Sequence, residues 1–173
     1  MHEELNLFGE DRRKVSIDEQ TVPNGYRVLV IGSGMSGILA AIRLHQTWQG
    51  DPQAHMGMTI PGFPNLYLLY GPNTNIVVGA SIVFFSECEM RYIMGCMKMQ
   101  FEQSIDSLEV REDVCREYNA SIDERNRMRA WGSPHVSSWY KNANGRVSQN
   151  WPGTHFEWWR QTREPRPGDF LGH

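Results

Sequence analysis

The fold is decided by residues 26–44, which read YRVLVIGSGMSGILAAIRL. The run at 26–31 is rich in β-branched residues and is typical of a buried parallel strand. Glycines follow, and Ile38, Leu39 and Ile42 then recur at helical spacing as far as about Gln46. A strand, a glycine-rich turn and a helix in this order predict the first βα unit of a dinucleotide-binding domain.

The turn has the pattern GxGxxG and is predicted to hold the pyrophosphate of a dinucleotide. Its first glycine permits the tight reversal, its second lets the pyrophosphate approach the backbone, and its third lets the helix pack closely on the strand. The helix N-terminus adds unpaired N–H groups and partial positive charge. The predicted cofactor contacts are Gly32, Ser33, Gly34, Met35, Ser36 and Gly37. A glycine-rich turn without a ligand is the alternative.

A second strand ending in an acidic residue normally completes such a unit, because that residue accepts hydrogen bonds from the ribose. Asp51 lies at a plausible distance, but it stands in Gly-Asp-Pro with no apolar run before it. The next strand is predicted at 66–70, LYLLY, and it ends in Gly71. The unit is therefore interrupted where the ribose should be held.

Two helices are predicted downstream. The first runs from Ser81 to about Met99, and its apolar face carries Phe85, Cys88, Tyr92, Cys96 and Met99, broadened by Met90, Met94 and Met97. Core packing explains this face better than a cofactor site. The second helix runs from about Arg111 to Arg129, with Val114, Tyr118 and Ile122 on its apolar stripe. Asn144-Gly145 predicts a hairpin turn between 139–140 and 146–147.

Composition and charge exclude several classes of function. A net charge of -3 gives no general attraction to nucleic acid or anionic lipid, so neither is predicted as a partner. The aromatic residues near the C-terminus are expected to pack a loop-rich region. The three cysteines form no CxxC pair and suit a reduced, cytoplasmic compartment. The six histidines lack metal-ligand spacing, so no metal site is predicted.

Several segments together resemble the Baeyer–Villiger flavin monooxygenases, most of all the branch that includes hydroxyacetophenone monooxygenase. The stretch at 27–44 is similar to the FAD fingerprint of that family. PGFPNLYLLYGPNTN, ECEMRYIMGCM and VSSWYKNANGRVSQNWPGTHFEWWRQTREPRPGDF are similar to its C-terminal part. The resemblance covers most of residues 26–170. It implies FAD as the cofactor, NADPH as the co-substrate and a small-molecule ketone as the substrate.

The resemblance also implies a large internal deletion near residues 45–48. Family members carry there the rest of the FAD domain, an NADPH domain and the arginine that stabilises the flavin peroxide. This chain has one GxGxxG and no FxGxxxHxxxW, so no catalytic residue is carried over. Gly71 and Asn73 are placed by the resemblance in the cofactor site. The segment 75–81 is bulkier than the glycine-rich run of the family.

We therefore expect an α/β fold: a truncated, three-layer FAD-binding Rossmann-like domain with a short parallel sheet, plus an aromatic, loop-rich C-terminal extension. The strand at 66–70 would pair with the fingerprint strand, and the Ser81 helix would cover the sheet. The predicted organisation is a polar arm at 1–24, the residual FAD domain at 25–105 and the extension at 106–173. Within the FAD domain, the fingerprint half at 25–46 joins a C-terminal half at 50–105.

Three functions fit these features. The resemblance implies a monooxygenase that inserts oxygen into ketones to give esters or lactones. The alternative of another class is a non-catalytic remnant that at most binds FAD. A small NAD(P)-dependent reductase is the third, but no catalytic Tyr-Lys pair stands at recognisable spacing. The sequence gives neither the ketone nor the oligomeric state.

The fingerprint generates a direct test. Gly34→Val should abolish FAD binding, because the new side chain blocks the approach of the pyrophosphate to the backbone. Titration followed by flavin fluorescence measures the affinity. Unchanged affinity in the variant would show that the fingerprint assignment is wrong.

Overall fold

The computed structural model describes residues 44, 46–77, 79 and 81–173. The predicted fingerprint at 32–37, its strand at 26–31 and the arm at 1–24 lie outside the described residues. The chain divides into two compact units, Met1–Thr47 and Trp48–His173. Of the first unit, Leu44 and 46–47 are described, and they are helical. The elements below belong to the second unit, and the predicted division at 105/106 stays a prediction.

The longest element is helix α1, Ile82–Gln103. Ser81 caps its N-terminus, since the side-chain oxygen accepts a hydrogen bond from the Val83 N–H. Ser104 ends it in the left-handed conformation, with φ 53°. The helix predicted from Ser81 to about Met99 is thus confirmed, and it continues for one further turn.

The predicted apolar face of α1 is buried, with one correction. Phe85, Cys88, Tyr92, Cys96 and Met99 are buried as expected. Met90 and Met94 are exposed, so the prediction that they broaden the buried face was wrong. Because residues turn by about 100° along a helix, both lie on the side opposite Tyr92. Only Met97 of the three packs partly against the core.

The second predicted helix is confirmed as α2, Glu112–Arg127. Acidic Glu112 and Asp113 lie in its first turn, and basic Arg125 and Arg127 lie in its last turn. This arrangement complements the helix dipole at both ends. A shorter helix, α3, spans His155–Gln161 and begins with a capping box formed by Thr154 and Glu157.

The sheet differs from the prediction. Strands β1, Leu108–Val110, and β2, Phe170–Gly172, pair antiparallel, and they form the one sheet among the described residues. The predicted strand at 66–70 is irregular, so that prediction was wrong, and no parallel sheet occurs in the described part of the chain. The physical reason is local: Asn65 and Tyr70 have φ of 59° and 58°, which ends an extended strand at both sides.

Two hydrophobic clusters form the core, and α1 contributes to both. One cluster joins α1 to the sheet and contains Met58, Tyr92, Ile93, Cys96, Met99, Leu108, Val110 and Phe170. The other contains Phe85, Cys88, Ile122, Trp151 and Trp158. Trp158 stacks on Phe85 with ring centroids 4.9 Å apart, and Trp151 meets it edge-on at 5.0 Å. The late tryptophans at these two positions therefore pack the core, as predicted.

The predicted turn at Asn144-Gly145 is confirmed. Lys141 and Val147 form an antiparallel bridge across it, and Gly145 has φ 77°. The Asn142 N–H donates to the Arg146 carbonyl at 2.9 Å. No helix in the described part of the chain is long and apolar enough to cross a bilayer.

The Arg146 side chain extends from this turn and binds three separate segments of the chain: 51–52, the loop residue Asn73 and helix α2. Its Nε donates to both oxygens of Asp123 at 2.8 and 2.9 Å. Its Nη1 donates to the Pro52 carbonyl at 2.7 Å and to Asp51 at 3.3 Å. Its Nη2 donates to the side-chain oxygens of Asn73 and Asn119, each at 3.1 Å. All of the guanidinium nitrogens are therefore bonded, in the planar geometry that only arginine provides.

Replacing Arg146 by lysine should destabilise the fold. Lysine keeps the charge but loses the planar fork, so we expect a loss of roughly 2 kcal/mol or more, the scale of buried hydrogen bonds to charged groups. The matched control is Arg111→Lys, because Arg111 makes an exposed ion pair with Asp113. That change should cost less than about 0.5 kcal/mol. Urea unfolding of both variants measures the difference, and equal losses would contradict the role given to Arg146.

Candidate functional site

The candidate site is the loop at 69–77, which leads towards α1 and contains both described residues of the predicted cofactor site. Tyr70 and Asn73 adopt the left-handed conformation, with φ of 58° and 59°. Such conformations in non-glycine residues persist only where surrounding contacts fix them, and they concentrate at functional sites. The contacts of the loop therefore decide what it can do.

Gly71 is required by the packing of two backbone segments. A Cβ at this position would lie 2.1 Å from the carbonyl oxygen of Gly57. Real side chains do not tolerate that distance, so no other residue fits without movement of one segment. The described structure thus explains the glycine by an internal contact, and its contact with a cofactor stays a prediction.

Asn73 is buried and holds the loop in place. Its Nδ2 donates to the carbonyls of Val147 and Asn150 at 2.8 and 3.1 Å. Its Oδ1 accepts from Arg146, and its backbone N–H donates to the Ser148 carbonyl. Both side-chain N–H groups are therefore used within the protein. A cofactor contact by Asn73 stays a prediction, and it would have to come from groups other than these two donors.

The next part of the loop runs parallel to residues 149–151. The Asn75 N–H donates to the Gln149 carbonyl at 2.9 Å, and the Trp151 N–H donates to the Asn75 carbonyl at 2.8 Å. The Asn75 amide also donates to the Asn150 side chain at 2.9 Å. Since Trp151 belongs to the core, these bonds fix the loop on a rigid support.

Tyr70 connects the exposed edge of the loop to a buried carboxyl group. Its backbone N–H donates to Oε2 of Glu89 at 2.8 Å, and its hydroxyl donates to the Asn75 side chain at 2.5 Å. Glu89 is fully buried on α1, and its Oε1 has no hydrogen-bond partner. Burial raises the pKa of Glu89 to about 7, an effect that the Tyr70 N–H reduces.

The outer edge of the loop is apolar. Leu69 and Tyr70 are about half exposed, and Val77 is also exposed. Ile82 and Val83 at the start of α1 are exposed as well, and the first turn of that helix carries no acidic residue. The partial positive charge of that helix end is therefore not neutralised by a neighbouring carboxylate on the helix. The edge can pack against a flat apolar or aromatic ring.

A second buried polar group lies at His55. Both ring nitrogens lack a hydrogen-bond partner, and Nε2 lies 3.9 Å from Asp169. Burial lowers the pKa of His55 to about 4, against the opposing effect of Asp169. The imidazole is therefore neutral at neutral pH. It packs edge-on against the ring of Tyr118, with centroids 5.2 Å apart.

One depression among the described residues is small and polar. Its volume is about 260 Å³, and it is lined by Asp123, Asn126, Arg127, Gly132, Asn144, Gly145, Arg146 and Val147. Pockets for cofactor-sized ligands generally begin at about 300 Å³. The charges of Asp123 and Arg146 are already paired with each other. The loop at 69–77 therefore remains the better candidate.

The two buried polar groups were not singled out from the sequence, although Glu89 carried a signal. It stands four residues after Phe85 and three before Tyr92, on the face that helical spacing buries. Asp51, considered for the ribose, instead accepts from Arg146 and from Asn142, the latter at 2.7 Å. The described residues contain no group of three metal-ligating side chains.

Comparison with solved structures identifies the fold. No family model matches the chain. A solved structure titled oxidized steroid monooxygenase bound to NADP matches with a TM-score of 0.64 and 22% identity, over 75% of this chain and 25% of that chain. The fold is thus that of part of such a monooxygenase.

Sequence comparison gives the family. The chain is 32% identical over 121 residues to a Baeyer–Villiger monooxygenase of Streptomyces coelicolor, covering 69% of this chain and 23% of that protein. It is 29% identical over 160 residues to the FAD-binding monooxygenase ktnD of Aspergillus niger, covering 84% of this chain and 26% of that protein. The chain belongs to the Baeyer–Villiger and FAD-binding monooxygenase family. It spans about a quarter of the length of these relatives.

The buried carboxyl of Glu89 predicts a characteristic pH dependence. In the unfolded chain it ionises near pH 4.5, and in the folded chain near 7. The folded state therefore holds this proton more tightly, and the stability it contributes below pH 4.5 is lost as pH rises to about 7. Glu89→Gln removes the ionisation and should stabilise the protein at pH 8 by up to about 3 kcal/mol, since one pKa unit corresponds to about 1.4 kcal/mol.

Urea unfolding at pH 5 and pH 8 measures this effect. The matched control is Glu87→Gln, an exposed position two residues away on the same helix. It should leave the difference in stability between the two pH values unchanged. If Glu89→Gln kept the pH dependence of the unmodified protein, the assignment of a raised pKa to Glu89 would be contradicted.

Proposed function

We propose that this chain binds FAD and serves the oxygenation of a small ketone to an ester or lactone, with NADPH as co-substrate. The observation that carries the proposal is the match to a Baeyer–Villiger monooxygenase over 121 residues at 32% identity. The GxGxxG sequence at 32–37 adds the residues that would hold the pyrophosphate. FAD, when bound, supplies the redox chemistry and the reaction with oxygen.

Among the described residues, those of the loop at 69–77 suit contact with part of such a cofactor. The apolar edge formed by Leu69, Tyr70 and Val77 suits contact with a flat ring system. The adjoining end of α1 has no carboxylate in its first turn, which favours an electron-rich group nearby. The hydrogen bond from Arg146 to Asn73 fixes the loop that carries this edge. Rigid support matters because a flavin site must position its ring to within fractions of an ångström.

The second candidate is a chain that binds FAD without turnover. It is favoured by the span of the match, since the chain covers about a quarter or less of its relatives. It also has a single dinucleotide fingerprint, whereas a monooxygenase that uses both FAD and NADPH needs a site for each. The two candidates share the FAD site and differ in oxidation of NADPH.

Titration of the purified chain with FAD tests the shared part. Fluorescence quenching should saturate, and the melting temperature should rise, because a ligand that binds only the folded state stabilises it by about 2.7 kcal/mol at a hundred times its Kd. The Gly34→Val variant is the control and should show neither effect. Absence of saturable binding in the unmodified chain would refute the proposal.

Oxidation of NADPH by the FAD-loaded chain then separates the two candidates. Consumption of NADPH with formation of an ester from a ketone supports the full reaction. Saturable FAD binding without NADPH oxidation supports the chain that binds FAD only. Aryl, cyclic and steroid ketones should all be tried, since the sequence does not identify the substrate.

A further inference from the structure

The segment at 55–59 folds back on itself and places two buried polar side chains together. The His55 N–H donates to the Thr59 carbonyl at 2.8 Å, and the Thr59 N–H donates to the His55 carbonyl at 3.2 Å. Residues that face each other in such an antiparallel pair carry their side chains on the same side, with Cβ atoms about 5 Å apart. Each of the two residues is 4% exposed. The imidazole and the hydroxyl therefore adjoin each other inside the protein.

The polar atoms of these two side chains have no hydrogen-bond partner among the described residues. They are Nδ1 and Nε2 of His55 and Oγ1 of Thr59. A neutral imidazole has one donor and one acceptor nitrogen, and a hydroxyl group both donates and accepts. Buried polar atoms in folded proteins are nearly always bonded, either to the protein or to an ordered water molecule. Three such atoms side by side need a ligand that can both donate and accept.

The surroundings of this pair suit a small, neutral ligand. Oδ2 of Asp169 lies 3.9 Å from Nε2 of His55, which is too far for a direct hydrogen bond. Asp169 and Arg166 act on the imidazole with opposite charges, so the site does not select an ion by its charge. The ring of Tyr118 packs edge-on against the imidazole, with centroids 5.2 Å apart. The Asp169 side chain is 21% exposed and leaves a small molecule a route from solvent.

We propose that an ordered water molecule is bound between the His55 imidazole, the Thr59 hydroxyl and the Asp169 carboxylate. Buried water molecules typically make about three hydrogen bonds to polar groups that otherwise lack a partner, and this site offers three such groups. Asp169 directly precedes β2, and the segment at 55–59 lies more than a hundred residues earlier in the chain. The water therefore links this segment to the C-terminal strand. The proposal is independent of FAD binding.

A high-resolution crystal structure of the full chain tests the proposal directly. We expect electron density for a water molecule within about 3.2 Å of Oγ1 of Thr59 and of one ring nitrogen of His55. The same density should be lost in a crystal of the Thr59→Val variant, because valine keeps the shape of threonine and removes the hydroxyl. A direct hydrogen bond from His55 to Thr59 or Asp169, with no density between them, would overturn the proposal.

The stability of Thr59→Val gives an independent test in solution, because the two cases predict effects of opposite sign. If the water is bound, the variant leaves one of its bonds unmade, and the equilibrium constant for unfolding should rise about fivefold or more. If the site is dry, the variant removes an unsatisfied group, and the constant should stay the same or fall. Urea unfolding measures the constant.

The matched control is Thr74→Val. Thr74 is also fully buried, and its hydroxyl donates to the Gly71 carbonyl at 2.8 Å. Loss of this known hydrogen bond should raise the unfolding constant by a factor similar to that for Thr59→Val. A Thr59→Val protein that is as stable as the unmodified chain, or more stable, would contradict the bound water.

Discussion

The described structure depends on the bonding of one guanidinium group, that of Arg146, whose side chain is 11% exposed. Arg146 binds Asp123 on α2, the segment at 51–52 and the loop residue Asn73 at the same time. These segments are separated by many residues in the chain, and most of the connecting chain has no regular secondary structure. The described residues contain one two-stranded sheet, so their loops need other means of being fixed, and a charged group with all of its donors satisfied provides one. The left-handed conformation at Asn73 is one consequence, because the side chain must reach both Arg146 and the backbone at 147–150.

The two faces and the N-terminal end of helix α1 have different surroundings. Its inner face enters both hydrophobic clusters, so it links the sheet to the tryptophan-rich C-terminal region. Its N-terminal end adjoins the loop at 69–77, where the conformation of Tyr70 is fixed by the buried Glu89. Its outer face carries the exposed side chains of Met90 and Met94.

The sequence predicted the two long helices well because their signals are local, whereas it did not predict α3. The spacing of Phe85, Cys88 and Tyr92 determines which face is buried, and the acidic start of α2 marks its N-terminus. The strand at 66–70 was predicted from an apolar run alone, and such a run cannot reveal that both of its ends turn left-handed. Gly71 and Asn73 were predicted as cofactor contacts, which stays a prediction, and the contacts that the structure gives them lie at Gly57 and 147–150. Those partners are distant in sequence, so no local pattern could identify them. The fingerprint lies outside the described residues, and its role remains a prediction.

The interior also holds two titratable groups whose effects on stability oppose each other. His55 is kept neutral by burial, so the folded state loses stability as pH falls from about 6.5 towards 4. Glu89 is kept protonated by burial, so the folded state loses stability as pH rises from about 4.5 to 7. Between about 4.5 and 6.5 the two dependences have opposite signs and largely cancel. Both groups are then neutral in the folded protein, and neither leaves an unpaired charge in the core. Above pH 7 the burial of Glu89 becomes the costlier of the two, and the Tyr70 N–H is the one hydrogen bond that the described structure provides to its carboxylate.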